Sequence, residues 1–359
     1  MRIEKGVKVK MKKILLWVGV LALSVLMIAV FSFAGCKASA AVGTTEAAKA
    51  TVAATGKHFA GISIYFFPGG AEGGPFESVV YKGAKAAEED LGPSVTYVWS
   101  GWNPEKMIAQ FKEAIAAKPD GIAIMGHPGE VAFAPLVDEA ESKGIIVTSQ
   151  NTDLPGIEAK YVAKGFGYAG QGLYTSGLAL GNKSIEKWGL KSGDKALVWG
   201  LLSQETRGLR TKGCIDSLEA AGLKVDYLEI SSEINADSTL GTPVLTGYIS
   251  ANPDVKLIIT DHGNLTSTVG TFMKASNKSP GDIKCAGFDL SSASVDAIKS
   301  GYLGLVLDQQ PYLQGYLPIL QICLSKMYNF SGLHIDTGSG FVDETNVDVL
   351  ASLAEKGIR

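Results

Sequence analysis

The sequence predicts an α/β protein built as two lobes, each a parallel sheet covered by helices. Three observations predict it. From His58 onward, short apolar runs alternate with amphipathic stretches through short connections. After about residue 165 the alternation begins again over a similar length. Finally, 359 residues that are 46% hydrophobic and only 19% charged supply enough apolar material for two ordinary cores and are too apolar for a disordered chain.

The elements of the first unit follow in order. Phe59–Phe67 reads as a strand, and Phe76–Leu91 has helical spacing, with Val79, Val80, Gly83, Ala86 and Ala87 on one side. Val95–Trp99 is a second strand. Asn103 and Pro104 supply a cap and a first-turn proline for a helix carrying Met107, Ile108, Phe111 and Ile115 on its apolar face. Strands at Gly121–Met125 and Ile145–Ser149 enclose a helix at Val131–Ser142. In the second unit a long helix, Gly170–Trp188, precedes a strand at Ala196–Leu202. Helix Arg207–Ala221, strand Val225–Ile230, helix Pro243–Ala251 and strand Leu257–Thr260 come next. Helix Thr266–Lys274 and strand Lys284–Phe288 complete the pattern.

The amino terminus has a different character. Residues 1–35 hold six basic residues and one acid, Glu4, a local charge of +5. The formal charge of −3 for the whole chain therefore leaves the remaining residues at −8, a poor balance for binding nucleic acid. Residues 14–35 are uncharged and mostly apolar, as in a secretory signal, although a stretch of this length could also span a bilayer. The exit Ser32-Phe33-Ala34-Gly35-Cys36 resembles the lipobox of bacterial lipoproteins, with Phe33 where an aliphatic residue is usual. That resemblance implies cleavage before Cys36 and acylation of its sulfur. Residues 36–57 are rich in Ala, Thr, Ser and Gly and read as a flexible leash. Cys214, Cys285 and Cys323 are far apart, lack metal-ligand spacing and read as buried free thiols.

Catalytic signatures are missing from the sequence. Pro68–Gly74 (PGGAEGG) lacks the Gly-Lys-Ser/Thr ending of a phosphate loop and reads as a flexible turn. His58, His127, His262 and His334 form no HxxxH or HExxH pair, and no Gly-x-Ser-x-Gly elbow occurs. No metal and no cofactor is expected.

The strand ends say more, because open parallel sheets bind ligands beyond the carboxyl ends of their strands. Those ends carry Phe66 and Phe67, Gly126 and His127, Gln150 and Asn151, Ser203 to Arg207, Asp261 and His262, and Asp289. Aromatic rings combined with forked hydrogen-bonding groups suit a sugar, which offers apolar C–H faces and paired hydroxyls.

At this point the chain resembles the type I periplasmic binding proteins of the ribose- and galactose-binding class, over about residues 58–345. The resemblance rests on Gly74-Pro75-Phe76 with Gly83-Ala84, Asn103-Pro104-Glu105-Lys106, Lys118-Pro119-Asp120-Gly121-Ile122 and Gly144-Ile145-Ile146-Val147. Further along the chain it rests on Asn252-Pro253-Asp254-Val255, Gly287-Phe288-Asp289, Ala297-Ile298-Lys299-Ser300-Gly301 and Gln309-Gln310-Pro311. It implies two Rossmann-like lobes joined by three crossovers, near Lys164, near Asp308-Gln309 and around Asp336–Phe341. Lobe one would be residues 58–163 plus 310–340, lobe two 164–309, and 341–359 a C-terminal tail with the third crossover. It also implies an extracytoplasmic, lipid-tethered monomer that closes on a neutral monosaccharide or polyol. Such a protein delivers its cargo to a separate ABC permease and ATPase. A receptor for an autoinducer-2-like signal is the runner-up, and a secreted enzyme a third reading.

Carried over by position, Phe76 matches the ring that stacks on sugar, Asp289 the lobe-two carboxylate and Gln309 the hinge amide. Arg207 lies close to the family's sugar-contacting arginine, and Asn235 or Asp237 fills another polar contact. The departures are Glu77 for a second aromatic ring, Gln150-Asn151 for an Asp-Arg pair, Gly126 for Asn, and His262 for the Asn before Asp. They turn the expectation from ribose to neutral sugars and polyols in general.

Overall fold

The structure is a computed structural model and describes residues 56–338 and 340–359. The expected signal over residues 1–35, Cys36 and nearly all of the leash lie outside the described residues. Five strands come first: β1 (Ser63–Gly69), β2 (Ser94–Trp99), β3 (Gly121–Met125), β4 (Ile146–Gln150) and β5 (Tyr168–Gly170). Next are β6 (Lys195–Gly200), β7 (Lys224–Glu229), β8 (Val255–Thr260), β9 (Lys284–Phe288) and β10 (Leu305–Asp308). Two short ones, β11 (His334–Asp336) and β12 (Gly340–Val342), come last.

The strands form two six-stranded sheets with one topology. The orders are β11-β5-β4-β3-β1-β2 and β12-β10-β9-β8-β6-β7, and only the β10–β12 pair is antiparallel. Central strands are covered on both faces, so they read as continuous apolar runs without alternation: all five residues of β3 are buried. In each sheet the first strand lies between the second and third, which opens a crevice at the carboxyl ends of β1 and β3, and of β6 and β8.

The helices pack as the pattern requires. Asn103 caps helix Pro104–Ala117, its side chain accepting from Lys106 N at 2.9 Å, and Pro104 occupies the first turn. Phe111 and Phe133 from facing helices meet edge to face at 5.4 Å in the first core. Cys214, Cys285 and Cys323 are free and buried. No helix among the described residues is long and apolar enough to cross a membrane.

Boundaries differ from the sequence reading at several points, at β5 and β12 because strand pairing overrides local pattern. Tyr168–Gly170 joins the first sheet beside β4, so the chain leaves that lobe at Gln171, not near Lys164, and the next helix starts at Leu173 rather than Gly170. The second passage follows β10, and the third runs from β11 to β12. Residues 341–359 are not a tail. β12 pairs with β10, and helix Val347–Glu355 buries Val347, Ala351 and Ala354 in the second lobe's core. Helix Thr266–Lys274 is really two short helices, Gly263–Thr266 and Val269–Ala275.

Candidate functional site

The strand ends of both lobes converge on a narrow cleft lined by residues from both lobes. Eight residues singled out in the sequence line it: Phe76, His127, Asn151, Arg207, Asn235, His262, Asp289 and Gln309. Each arrives by the same device, a strand ending in a turn or helix start that projects a side chain into the crevice.

On the second lobe, Arg207 and Asp261 form a buried ion pair, Arg207 Nη2 to Asp261 Oδ2. Thr211 Oγ1 donates to Asp261 Oδ1 at 2.9 Å, and Arg210 Nη1 donates to the Asp261 carbonyl at 3.1 Å. Burial alone would raise the Asp261 carboxyl, but the two guanidiniums and His262 hold it far below the usual carboxylate range. Burial lowers Arg210 to about 10, with Arg207 adding to the shift, and its guanidinium lies over Phe288 at 4.6 Å.

The hinge supplies amides. Gln309 Nε2 donates to Asp289 Oδ2 at 2.9 Å, and Gly263 N donates to the same oxygen at 3.1 Å. Gln309 Oε1 accepts from Asn151 Nδ2 at 3.1 Å and from Arg210 Nη2 at 3.3 Å. Gln314 braces this hinge from behind, donating to the Gln309 carbonyl at 3.1 Å. Burial pushes the Asp289 carboxyl up to about 6, so it is mostly ionised at neutral pH. Burial also lowers both histidines, His127 strongly, which leaves neutral imidazoles suited to hydrogen bonding. Two guanidiniums therefore face two carboxylates, and the cleft carries little net charge. Two buried atoms of its wall lack a protein partner, Arg207 Nη1 and Asp289 Oδ1.

The first lobe contributes aromatic rings. Phe76 and Trp102 lie 5.9 Å apart between centroids, and Trp102 lies 5.1 Å from His127. Trp102 has φ of 57°, a rare conformation for a bulky residue. Its backbone N–H donates to the Gly69 carbonyl at 3.1 Å, and its indole lies on Gly69 and Gly70, where a Cβ would collide with the ring.

Four candidates lie elsewhere. Phe66 points into the first lobe's core and packs against Tyr97, because β1 buries that face beneath a helix. Gln150 is buried behind the cleft, its Nε2 donating to the Phe67 carbonyl at 2.9 Å. Asp237 caps the short turn Ser238–Gly241, accepting from Thr239 N at 3.0 Å on the outer rim. Glu77 sits under the Gly70–Gly74 loop, outside the cavity lining.

The sequence reading missed Trp102, Leu201, Arg210 and Asn264, which also line the cavity. Arg210 carried a signal, lying three residues after Arg207 in what the sequence read as one helix, a spacing that would put both guanidiniums on one face. Among the described residues no cluster of His, Cys, Asp and Glu is arranged to hold a metal ion.

Comparison with known proteins places this geometry. A curated relative, the xylose/arabinose-binding protein XylF of Sulfolobus acidocaldarius, is 28% identical over 275 residues. The match covers 72% of this chain and 66% of that protein, just under two thirds of its length. Among solved structures, a carbohydrate transporter from Acidothermus cellulolyticus 11B in complex with myo-inositol superposes with a TM-score of 0.71 at 23% identity. That superposition covers 83% of this chain and 99% of the other. An ABC transporter solute-binding protein from Burkholderia graminis C4D1M in complex with D-arabinose gives a TM-score of 0.70 at 22% identity, covering 81% and 98%. At these identities the structures show the shared two-lobed fold. The model of the periplasmic binding protein domain matches residues 64–323, and the chain belongs to that family.

Proposed function

We propose that this protein is the extracytoplasmic binding component of an ABC importer and holds a neutral monosaccharide or polyol between its lobes. The observation that carries the reading is the pair of unpartnered buried atoms, Asp289 Oδ1 and Arg207 Nη1, in a nearly charge-balanced wall opposite Phe76 and Trp102. A carboxylate oxygen accepts from one hydroxyl, a guanidinium nitrogen donates to another, and an aromatic ring covers the apolar face of the sugar. The xylose/arabinose-binding relative and the inositol- and arabinose-bound structural neighbours support this chemical class.

Closure is a hinge motion about three passages, and a ligand that touches both lobes favours the closed state. The leash and an acylated Cys36 would tether the protein to the membrane, as a monomer, near the permease and ATPase that take over its cargo. A thermal-shift screen against pentoses, hexoses, inositols and linear polyols tests the reading. A ligand that binds only the folded protein at a hundredfold excess over Kd adds about 2.7 kcal/mol of stability. One stereochemically selective stabiliser is the expected result. A flat response across the panel overturns the reading.

A further inference from the structure

Trp102 belongs to two spaces. It lines the inner cleft with Phe76 and His127, and it also lines an outer groove between the lobes. Leu201 and Asn235 are likewise common to both, so the groove continues the cleft and is not a separate depression. Its walls are Gly101 to Pro104 on lobe one and, on lobe two, the turn after β6 and the segment from Glu229 to Ala236. Asn103, Ser203 and Ser232 on these walls are exposed.

The lobes touch at other points of their interface. Asn264 Oδ1 accepts from the Phe76 backbone N–H at 3.3 Å, and Lys82 Nζ donates to the Lys356 carbonyl at 2.9 Å. Gly129 faces the side chains of Glu205 and Thr206, each 3.6 Å from where its Cβ would lie. At the hinge, Asn151 and Gln309 are joined. Among the described residues no hydrogen bond links Gly101–Pro104 to the facing lobe, so the groove stays open where the rest of the cleft is bridged.

We propose that this groove is a second sugar subsite and that the cargo is a disaccharide or similar glycoside. One ring occupies the inner cleft, and the second lies in the groove against Trp102 and Leu201. The proposal rests on the reading of the inner cleft as a sugar site. Gln204 lines the groove, and its Oε1 is buried without a hydrogen-bond partner. A buried acceptor left unpaired costs stability, and a hydroxyl of a second ring removes that cost. The side chains of Asn103 and Ser231 are engaged as helix caps, which leaves Gln204 and Ser232 to meet hydroxyls. An aromatic ring, an aliphatic wall, an amide and a hydroxyl repeat the chemistry of the inner cleft on a more exposed surface. A passage that served only for entry has no use for a buried amide oxygen without a partner.

Titration calorimetry on the full chain tests this. The probes are the monosaccharides of the stability screen, their methyl glycosides, and disaccharides that carry each of them at either end. The expected result is a disaccharide that binds at least as tightly as the monosaccharide. Ser232→Trp places an indole in the groove and should weaken that disaccharide at least tenfold while the monosaccharide stays within twofold. Gln204→Ala should also weaken the disaccharide alone, and it supplies the same comparison if Ser232→Trp does not fold. A monosaccharide that binds while every substituted form is at least 100-fold weaker overturns the proposal and leaves the functional reading standing. Variants that change both ligands equally, or neither, overturn it too. Binding of disaccharides without monosaccharides supports the subsite and corrects the size of the cargo. Silence to all probes sinks the functional reading and the subsite together.

Discussion

The side-chain amide of Gln309, at the second passage between lobes, donates to Asp289 Oδ2 at 2.9 Å and leaves Oδ1 facing the cleft without a protein partner. The hinge therefore orients the carboxylate. Asp289→Asn keeps the shape but loses a charged acceptor, and such hydrogen bonds contribute about 1.5–3 kcal/mol. Binding of the cognate ligand should weaken roughly 10- to 100-fold, read by titration calorimetry. The ligand-free protein should respond in the opposite sense. A carboxyl raised from 3.8 to about 6 destabilises the fold increasingly from pH 3.8 to 6 and by a constant amount above that range. Asp289→Asn should thus melt a few degrees higher than wild type at pH 7, with no difference at pH 3.5.

The Arg207–Asp261 pair makes the reverse prediction. Asp261 is held far below 3.8, so its contribution is complete above pH 3.8 and is lost only as pH falls below that value. Asp261→Asn leaves two buried guanidiniums with half their compensation, a change that costs about 3–5 kcal/mol. The melting temperature should fall by roughly 10 °C at pH 7, and the gap from wild type should close only in strong acid. A loss under 2 °C at pH 7 would show that water, not Asp261, compensates Arg207.

Trp102 depends on a glycine 33 positions earlier. Gly69 has φ of 101°, and a Cβ there would strike the Trp102 ring. Gly69→Ala should strain the backbone by about 1–3 kcal/mol and displace the indole. Ligand affinity should then drop by about the same factor as in Trp102→Ala, with the far-ultraviolet spectrum unchanged. Tryptophan emission on ligand addition reports both. Affinity equal to wild type in Gly69→Ala would mean that the ring reaches its place without the glycine shelf.

Much of this site was legible because its residues sit where β-strands end, and strand ends are set by local pattern. His127, Asn151, Asp289 and the 207 region follow apolar runs that no helix period fits. Phe66 misled because β1 is covered on both faces, so a strand-end aromatic can turn into the core as readily as into the cleft. Trp102 was invisible for another reason: its exposure to the cleft depends on a left-handed backbone held by Gly69, a contact between distant residues. Asn264 lay in the connection just before what read as one helix from Thr266, and it sits in a separate four-residue helix. The final strand and helix were missed because β12 is only three residues long and is defined by its partner β10, not by its own sequence.

That missed segment yields the last prediction. Helix Val347–Glu355 packs on helix Ser292–Lys299, and Arg359 Nη1 reaches Asp308 Oδ2 at 3.0 Å, next to the hinge amide Gln309. Asp308 is buried, and burial raises its carboxyl while Arg359 opposes that shift. Ending the chain at Val342 removes three buried apolar side chains and the counter-charge together. Arg359→Ala removes only the counter-charge, from a side chain 28% exposed, where ion pairs contribute less than about 1 kcal/mol. The truncation should lower the melting temperature by several degrees and expose the second core to a hydrophobic dye, whereas Arg359→Ala should leave melting within about 2 °C of wild type. Because Asp308 Oδ1 also accepts from Gln310 N at 2.9 Å, any loosening there reaches the turn that carries Gln309. Ligand affinity should therefore fall in the truncated protein even at temperatures where both lobes remain folded. An unaltered affinity in a destabilised truncation would separate the second core from the hinge, and would confine the role of this helix to holding its own lobe together.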